Sequence, residues 1–229
     1  MQDTLNFAAR LAELCERYCE ALQDFTGERV ESTALDVGCA VGGASFELAQ
    51  SFQHVLGIDF SQHFVNAART MKERGWMRYR SVEEGDITVE RTASVAEDID
   101  RERVQFMKGD ACALPADLPA FDAVLAANLL CRLPDPSKFL ARLPSLVKQG
   151  GVLVLASPYS WLEAWTPQEK WLGGYYDQGG KPVWSADQLK GLMSQHFELV
   201  AEEEVPFLIR EHARKFQWGC SHAMVWRRR

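Results

Sequence analysis

Leu35-Asp36-Val37-Gly38-Cys39-Ala40-Val41-Gly42-Gly43 is the stretch on which the fold of this chain is read. It closes a short apolar run, Ser32-Thr33-Ala34-Leu35, with an acid and a glycine, and leads into a helical pattern over residues 45–50. A strand that turns on glycine into a helix opens an α/β sheet, and ligands lie in the crevice beyond the carboxyl ends of such strands. The spacing fits two templates, Gly-x-Ala-x-Gly through Gly42 and Gly-x-Ala-x-x-Gly through Gly43. A glycine loop taken alone does not choose its ligand.

Working outward, the unit repeats. Residues 54–59 form a second buried strand, and Ser61 is a good N-cap for a helix down to Arg74. Residues 104–108 lead into Gly109-Asp110, residues 121–127 lead into a helix from Pro136 to about Val147, and Gly150-Gly151 opens an apolar strand over 152–156. Continuous apolar runs separated by helices predict a mostly parallel sheet covered on both faces. Residues 197–205 and 223–227 read as strands that pair antiparallel at the sheet edge, after a helix at 186–194. Before the first strand, residues 5–22 space Leu5, Ala8, Leu11, Cys15, Tyr18 and Leu22 as one helical face. The whole of 1–229 is read as one domain. Three parts exceed the repeat: an N-terminal helical lid over 1–30, a hairpin insertion over 77–100 breaking at Glu84-Gly85-Asp86, and an aromatic loop over 158–184.

Composition narrows the function classes. A formal net charge of -7 opposes a nucleic-acid partner, because phosphate neutralisation supplies most of that affinity. The basic run Arg227-Arg228-Arg229 reads as a solvated tail. No stretch approaches the ~20 apolar residues that span a bilayer, and the acid-bearing N-terminus does not read as a signal peptide. The six cysteines show no zinc-type pairing, so no metal is expected, and a reducing, cytoplasmic setting is. A small-molecule substrate is the expected partner, with neither nucleic acid nor membrane.

Four features separate the two ligand templates. Ala40 stands where a dinucleotide site wants glycine for backbone to approach the pyrophosphate. Asp36 puts a carboxylate near Gly38 and Gly43, which suits the ammonium of S-adenosylmethionine (SAM) and not a pyrophosphate. Asp59 closes the next strand, where a carboxylate accepts both ribose hydroxyls, and Phe60 offers an apolar face to adenine. Gly109-Asp110-Ala111 ends a further strand, with the acid placed for the adenine amino group. Asp59 alone suits a nicotinamide cofactor equally well; the combination points to SAM, with S-adenosylhomocysteine as its product.

The chain resembles the class I methyltransferases, and more narrowly the methyltransferase domain of ovothiol biosynthesis enzymes. The resemblance is carried by LDVGCAVGGASFELA (35–49), GIDFS (57–61), GDACALP (109–115), FDAVLAANLLCRL (121–133), GGVLVLASPYSWLE (150–163), EKWLGG (169–174) and VPFLIREHARKFQ (205–217). The first three are common to many methyltransferases and the last four are particular to this family. Cys131 departs from the acid expected before Arg132. The resemblance implies a Rossmann-like class I methyltransferase fold, a seven-stranded sheet with an antiparallel edge, and N-methylation of an imidazole nitrogen of 5-thiohistidine. A selenium analogue, or another mercapto-imidazole, is the open alternative. It also implies an upstream sulfoxide synthase or lyase as a pathway partner.

Site residues follow from that reading. Asn128, at the end of the fourth strand, is expected to position the cofactor or the imidazole. Tyr159, Trp161 and Trp171 are expected at the imidazole pocket and Glu163 at the substrate amino group, while Arg210 or Arg214 takes its carboxylate. His212 is the candidate proton acceptor, and Tyr18 is expected on a lid over SAM. Two rivals are a methyltransferase for another small molecule and a non-catalytic SAM-binding regulator. A nucleic-acid methyltransferase is opposed by Asn128-Leu129-Leu130, which stands where an Asn-Pro-Pro-aromatic segment is expected.

Overall fold

The computed structural model of the chain describes residues 6–22 and 31–229. Its first half comprises helix α1 (Phe7–Tyr18), strand β1 (Thr33–Val37), α2 (Gly43–Leu48), β2 (His54–Asp59), α3 (Gln62–Arg74), the hairpin β3 (Trp76–Glu84) and β4 (Ile87–Ser94), and β5 (Val104–Lys108). The second half comprises β6 (Phe121–Ala127), α4 (Pro136–Leu146), β7 (Val147–Ser157), the short pair β8 (Tyr175–Tyr176) and β9 (Pro182–Val183), α5 (Ser185–Met193), β10 (Phe197–His212) and β11 (Lys215–Arg228).

Seven strands form one sheet in the order β10-β11-β7-β6-β1-β2-β5. From β5 to β7 the strands run parallel. β11 inserts antiparallel between β7 and β10. The winding reverses at β1, whose neighbours are β2 and β6. That switch point opens the crevice in which α/β sheets bind ligands.

Alternation along the strands distributes the core. Ala34 faces the layer of α1, α2 and α3 with Leu11, Cys15, Phe46, Phe52 and Val65. Leu35 and Val37 face the α4 and α5 layer with Phe139, Leu143, Leu189 and Trp226. Helix ends follow local chemistry: the Ser61 hydroxyl accepts from Phe64 N–H at the start of α3, and Gly75 closes it at φ 80°. Asp135 caps α4 ahead of Pro136, where a missing N–H costs nothing.

The N-terminal helix corrects the expected lid. Leu11 and Cys15 are fully buried, so α1 is a core helix. Cys19, next to Tyr18, donates its thiol toward the carbonyl of Asp122 at the start of β6. Tyr18 therefore lies toward the edge of the sheet opposite the cofactor loop. Only the first turn of α1 approaches that loop, where a Cβ on Gly43 would meet Ala8 Cβ at 3.7 Å. Residues 1–5 and 23–30 of the expected lid lie outside the described residues.

The insertion after α3 is a hairpin, reversing at Gly85-Asp86. The last hairpin is much longer than its apolar pattern suggests. β11 leaves β7 at the Ser157–His222 pair, yet continues paired to β10 as far as His212 and Lys215. The free part is an arm rising beyond the C-terminal edge of the parallel strands. Phe207 on this arm packs against Phe7 of α1 with ring centroids 5.2 Å apart. Among the described residues, no helix is long and apolar enough to cross a membrane.

Candidate active site

Five loops meet at the C-terminal edge, and three of them contain a non-glycine residue at positive φ: Ala40 after β1 (48°), Asn128 after β6 (53°) and Tyr159 after β7 (51°). Such backbone is costly and clusters where surrounding structure holds it for a purpose. Gly38, at φ 80°, is needed for a second reason: a Cβ there would stand 3.0 Å from Leu129 Cδ1. The loop thus packs directly on the loop after β6.

Asp59 ties the site together. One carboxylate oxygen accepts the Ala40 N–H at 2.9 Å and the other accepts the Ser61 N–H at 2.8 Å. Each oxygen keeps lone-pair capacity for a further donor. Beside it Phe60 is 70% exposed, a large ring left in solvent, with the Lys108 ammonium 6.0 Å from its centroid. On the next loop Asp110 accepts from Cys112 N–H at 2.8 Å, capping the turn that holds Ala111. An acid with lone pairs to spare, an uncovered aromatic face and a second acid therefore lie at the ends of β2 and β5. These residues fit SAM.

Asp36 differs from the expected open carboxylate. It is 2% exposed and accepts a 2.7 Å hydrogen bond from Ser45 Oγ of α2. Burial raises its pKa to about 6; the Ser45 bond opposes that shift and the Asp59 charge adds to it. The acid therefore acts on the cleft as a charge beneath the loop, felt through low dielectric. Because the folded pKa lies above the unfolded value, stability falls as pH rises from about 4 through about 6 and is flat beyond. Asp36→Asn should accordingly gain up to about 3 kcal/mol at pH 7.5, a gain that closes near pH 4. Urea unfolding at the two pH values checks this; equal stability at pH 7.5 contradicts it.

The acceptor side departs further from expectation. Asn128 donates its backbone N–H to Ala156 O at 2.8 Å, and its side-chain oxygen accepts from Ser221 Oγ of the arm at 2.6 Å. Tyr159 Oη lies 2.9 Å from His222 Nδ1, and His222 Nε2 lies 3.1 Å from Glu202 Oε1. Asn128, Tyr159, Ser221 and His222 thus share one region of the C-terminal edge. The sequence reading missed Ser221, His222 and Glu202. The available signal was the polar pair Ser221-His222 just before the apolar run 223–227, on a strand whose reversed direction brings that point to the ligand edge.

Six other expected positions are corrected. Trp161 and Trp171 stack on each other, with centroids 6.3 Å apart, and their indole N–H groups donate to Ser185 Oγ and Thr166 O. They staple the 158–184 loop; Trp161 is buried beneath it, and Trp171 lines a surface cleft with Glu169, Tyr175 and Tyr176. Glu163 is exposed on the turn between the two tryptophans. Arg210 donates to Val82 O and to Glu83 Oε2, at 2.9 and 3.1 Å, clasping the arm to the β3–β4 hairpin. Arg214 sits in the turn at the arm tip, and its backbone N–H donates to His212 Nδ1. His212 pairs with Lys215 there, whereas Asn128 meets the arm at Ser221, opposite Val205. That separation is roughly 20 Å along the strand. The reason is a two-residue turn, Ala213-Arg214, without glycine or asparagine, which hides a hairpin tip inside what reads as a charged cluster.

Comparison with known proteins agrees with this geometry. Residues 35–155 match the family model described as methyltransferase domain. The chain is 31% identical over 135 residues to a demethylmenaquinone methyltransferase of Clavibacter sepedonicus, a match covering 59% of this chain and 43% of that protein. It is 30% identical over 124 residues to a ubiquinone biosynthesis O-methyltransferase of Leptothrix cholodnii, covering 54% of this chain and 43% of that protein. The matches thus span less than half the length of these relatives. In fold it is similar to magnesium protoporphyrin IX methyltransferase from Synechocystis PCC 6803, crystallised with S-adenosylhomocysteine. The TM-score is 0.58 at 18% identity, covering 100% of this chain and 86% of that one. With more than half of its length matching the family and its sheet wound in that order, the chain belongs to the methyltransferase domain family, the class I, SAM-dependent methyltransferases.

Proposed function

We propose that this methyltransferase acts on an imidazole nitrogen of 5-thiohistidine, or of its selenium analogue, leaving S-adenosylhomocysteine. The observation that carries the reading is the two hydrogen-bonded pairs Asn128–Ser221 and Tyr159–His222 beside the donor strand ends. It suits a planar ring that offers one N–H and one lone-pair nitrogen. Bound SAM supplies a methyl group on a sulfonium, open to in-line attack.

The chain's residues then divide the work. Asp59 takes the ribose hydroxyls, Phe60 lies against adenine, and Asp110 with Ala111 meets the purine edge. The Gly38–Gly43 loop and the buried Asp36 charge receive the amino-acid end. Asn128 stands beside the methyl group. A neutral ring nitrogen already carries its lone pair, so positioning and exclusion of water supply the rate. The harder task is to turn the better nucleophile, the ring sulfur, away from the methyl. Fixed hydrogen bonds to the ring do that. The substrate's ring sulfur also implies an upstream enzyme that forms the carbon–sulfur bond, such as a sulfoxide synthase or lyase.

The names of the relatives favour a second reading, in which a quinol hydroxyl is the acceptor. Incubation with SAM and either 5-thiohistidine or a catechol, read by mass spectrometry, separates the two. Methylated 5-thiohistidine is expected. Methylated catechol alone would replace the first reading by the second.

A further inference from the structure

The chain from Tyr159 through His222 to Glu202 lies at the ligand edge of the sheet, where the acceptor ring is placed. The Lys190 ammonium stands 2.8 Å from the Glu202 oxygen that His222 meets. The hydrogen bond and charge of Lys190 hold the Glu202 carboxyl below its usual range, so Glu202 is an anion that accepts a hydrogen bond from His222 Nε2–H. His222 Nδ1 is then left with its lone pair. Burial, with the charges of Glu202 and Glu204 behind it, pushes the Tyr159 phenol well above its usual range. Tyr159 is therefore a protonated phenol that donates to His222 Nδ1, and the remaining lone pairs of its oxygen are available to an outside donor.

We propose that Tyr159 accepts the ring N–H of the acceptor, and that the Tyr159–His222–Glu202 chain is the proton exit of the methyl transfer. The proposal rests on the N-methylation reading above. As the bond between ring nitrogen and methyl carbon forms, the carbon–sulfonium bond breaks and its electron pair stays on sulfur. The ring becomes a cation and sheds the proton on its other nitrogen to Tyr159 Oη. Tyr159 passes its own proton to His222 Nδ1, and the resulting imidazolium is held by the Glu202 carboxylate. The same hydrogen bond sets regiochemistry, because a ring whose N–H points at Tyr159 presents its other nitrogen to the methyl. Tyr159 is then a catalytic residue, and His222 and Glu202 are positioning residues acting through it.

The groups facing His222 are Tyr159 from the loop after β7, Glu202 and Glu204 from β10, and Lys190 of α5 through Glu202. Tyr159→Phe and His222→Gln, made in the full chain, test the proposal. The Gln amide oxygen still accepts the phenol but takes no proton. Both variants should bind S-adenosylhomocysteine as wild type does, and His222→Gln should keep KM for 5-thiohistidine within about threefold while kcat falls about 100-fold. Nitrogen-15 NMR of wild type should show His222 protonated at Nε2 and free at Nδ1. Wild-type kcat in both variants, or a His222 protonated at Nδ1, overturns the relay alone. A wild-type chain that leaves 5-thiohistidine unmethylated overturns the acceptor, and the relay with it.

Discussion

Asp59→Ala is expected to lower the affinity for S-adenosylhomocysteine about 100-fold or more in calorimetry. The carboxylate has two duties. It accepts the N–H groups of Ala40 and Ser61, which fixes the glycine loop to the start of α3. It also receives the ribose hydroxyls in the proposed complex. Alanine leaves two backbone donors without their acceptor, at about 1–3 kcal/mol each where they are screened from water. It also removes two charge-assisted bonds to the ligand. A loss of about 3 kcal/mol corresponds to two decades in affinity. Asp59→Asn should fall between, since its amide has only one oxygen to accept with. Unchanged affinity in the alanine variant would refute the placement of the ribose.

Gly173→Ala is expected to unfold about 6–12 °C below wild type. A Cβ on Gly173 would stand 2.3 Å from Ser185 N and 2.6 Å from Trp184 C, both backbone atoms. No rotamer relieves that clash, so either the aromatic loop or the first turn of α5 must move. Ser185 is the first residue of α5 and its hydroxyl accepts the Trp161 indole N–H at 2.9 Å, so the buried staple breaks as well. Overpacking against a backbone that cannot yield, plus one buried hydrogen bond, costs about 3 kcal/mol. In a chain of this size each kcal/mol moves Tm by about 2–4 °C. The loss should fall on the acceptor side. α5 carries Lys190, which holds Glu202, whereas the donor strand ends belong to other loops. Binding of S-adenosylhomocysteine should therefore persist at 20 °C while acceptor turnover drops. A circular-dichroism melt superposable on wild type would show that the loop and α5 do not bear on each other as described.

The donor half of the site was legible because its chemistry sits in short segments tied to strand ends. Asp59 ends β2 and Ser61 caps α3 as the sequence indicates, and β5 and β6 begin and end where their apolar runs do. Asp36 was placed on the correct strand. Its burial was not readable, because only packing of α2 brings Ser45 over it. The acceptor half depends on contacts distant in sequence. Ser221 is 93 residues from Asn128, and His222 is 63 residues from Tyr159. No local pattern reports such a pairing. The aromatic loop illustrates the same limit: a tryptophan in a pocket and a tryptophan folded under its own loop have the same local sequence, and Trp161 is the second kind. The arm misled for a different reason. Half-exposed strands with charged outer residues carry a weak period, so Arg210, His212 and Arg214 read as a cluster when they lie along a hairpin.

The central claim is methyl transfer to a ring nitrogen at this edge of the sheet. The most direct measurement is carbon-13 NMR of the product formed from 5-thiohistidine and SAM labelled at its methyl group. The account predicts one labelled methyl, bonded to an imidazole nitrogen and correlated through two or three bonds to ring carbons, formed together with S-adenosylhomocysteine. A labelled methyl on sulfur, or no transfer of label to 5-thiohistidine, would contradict it.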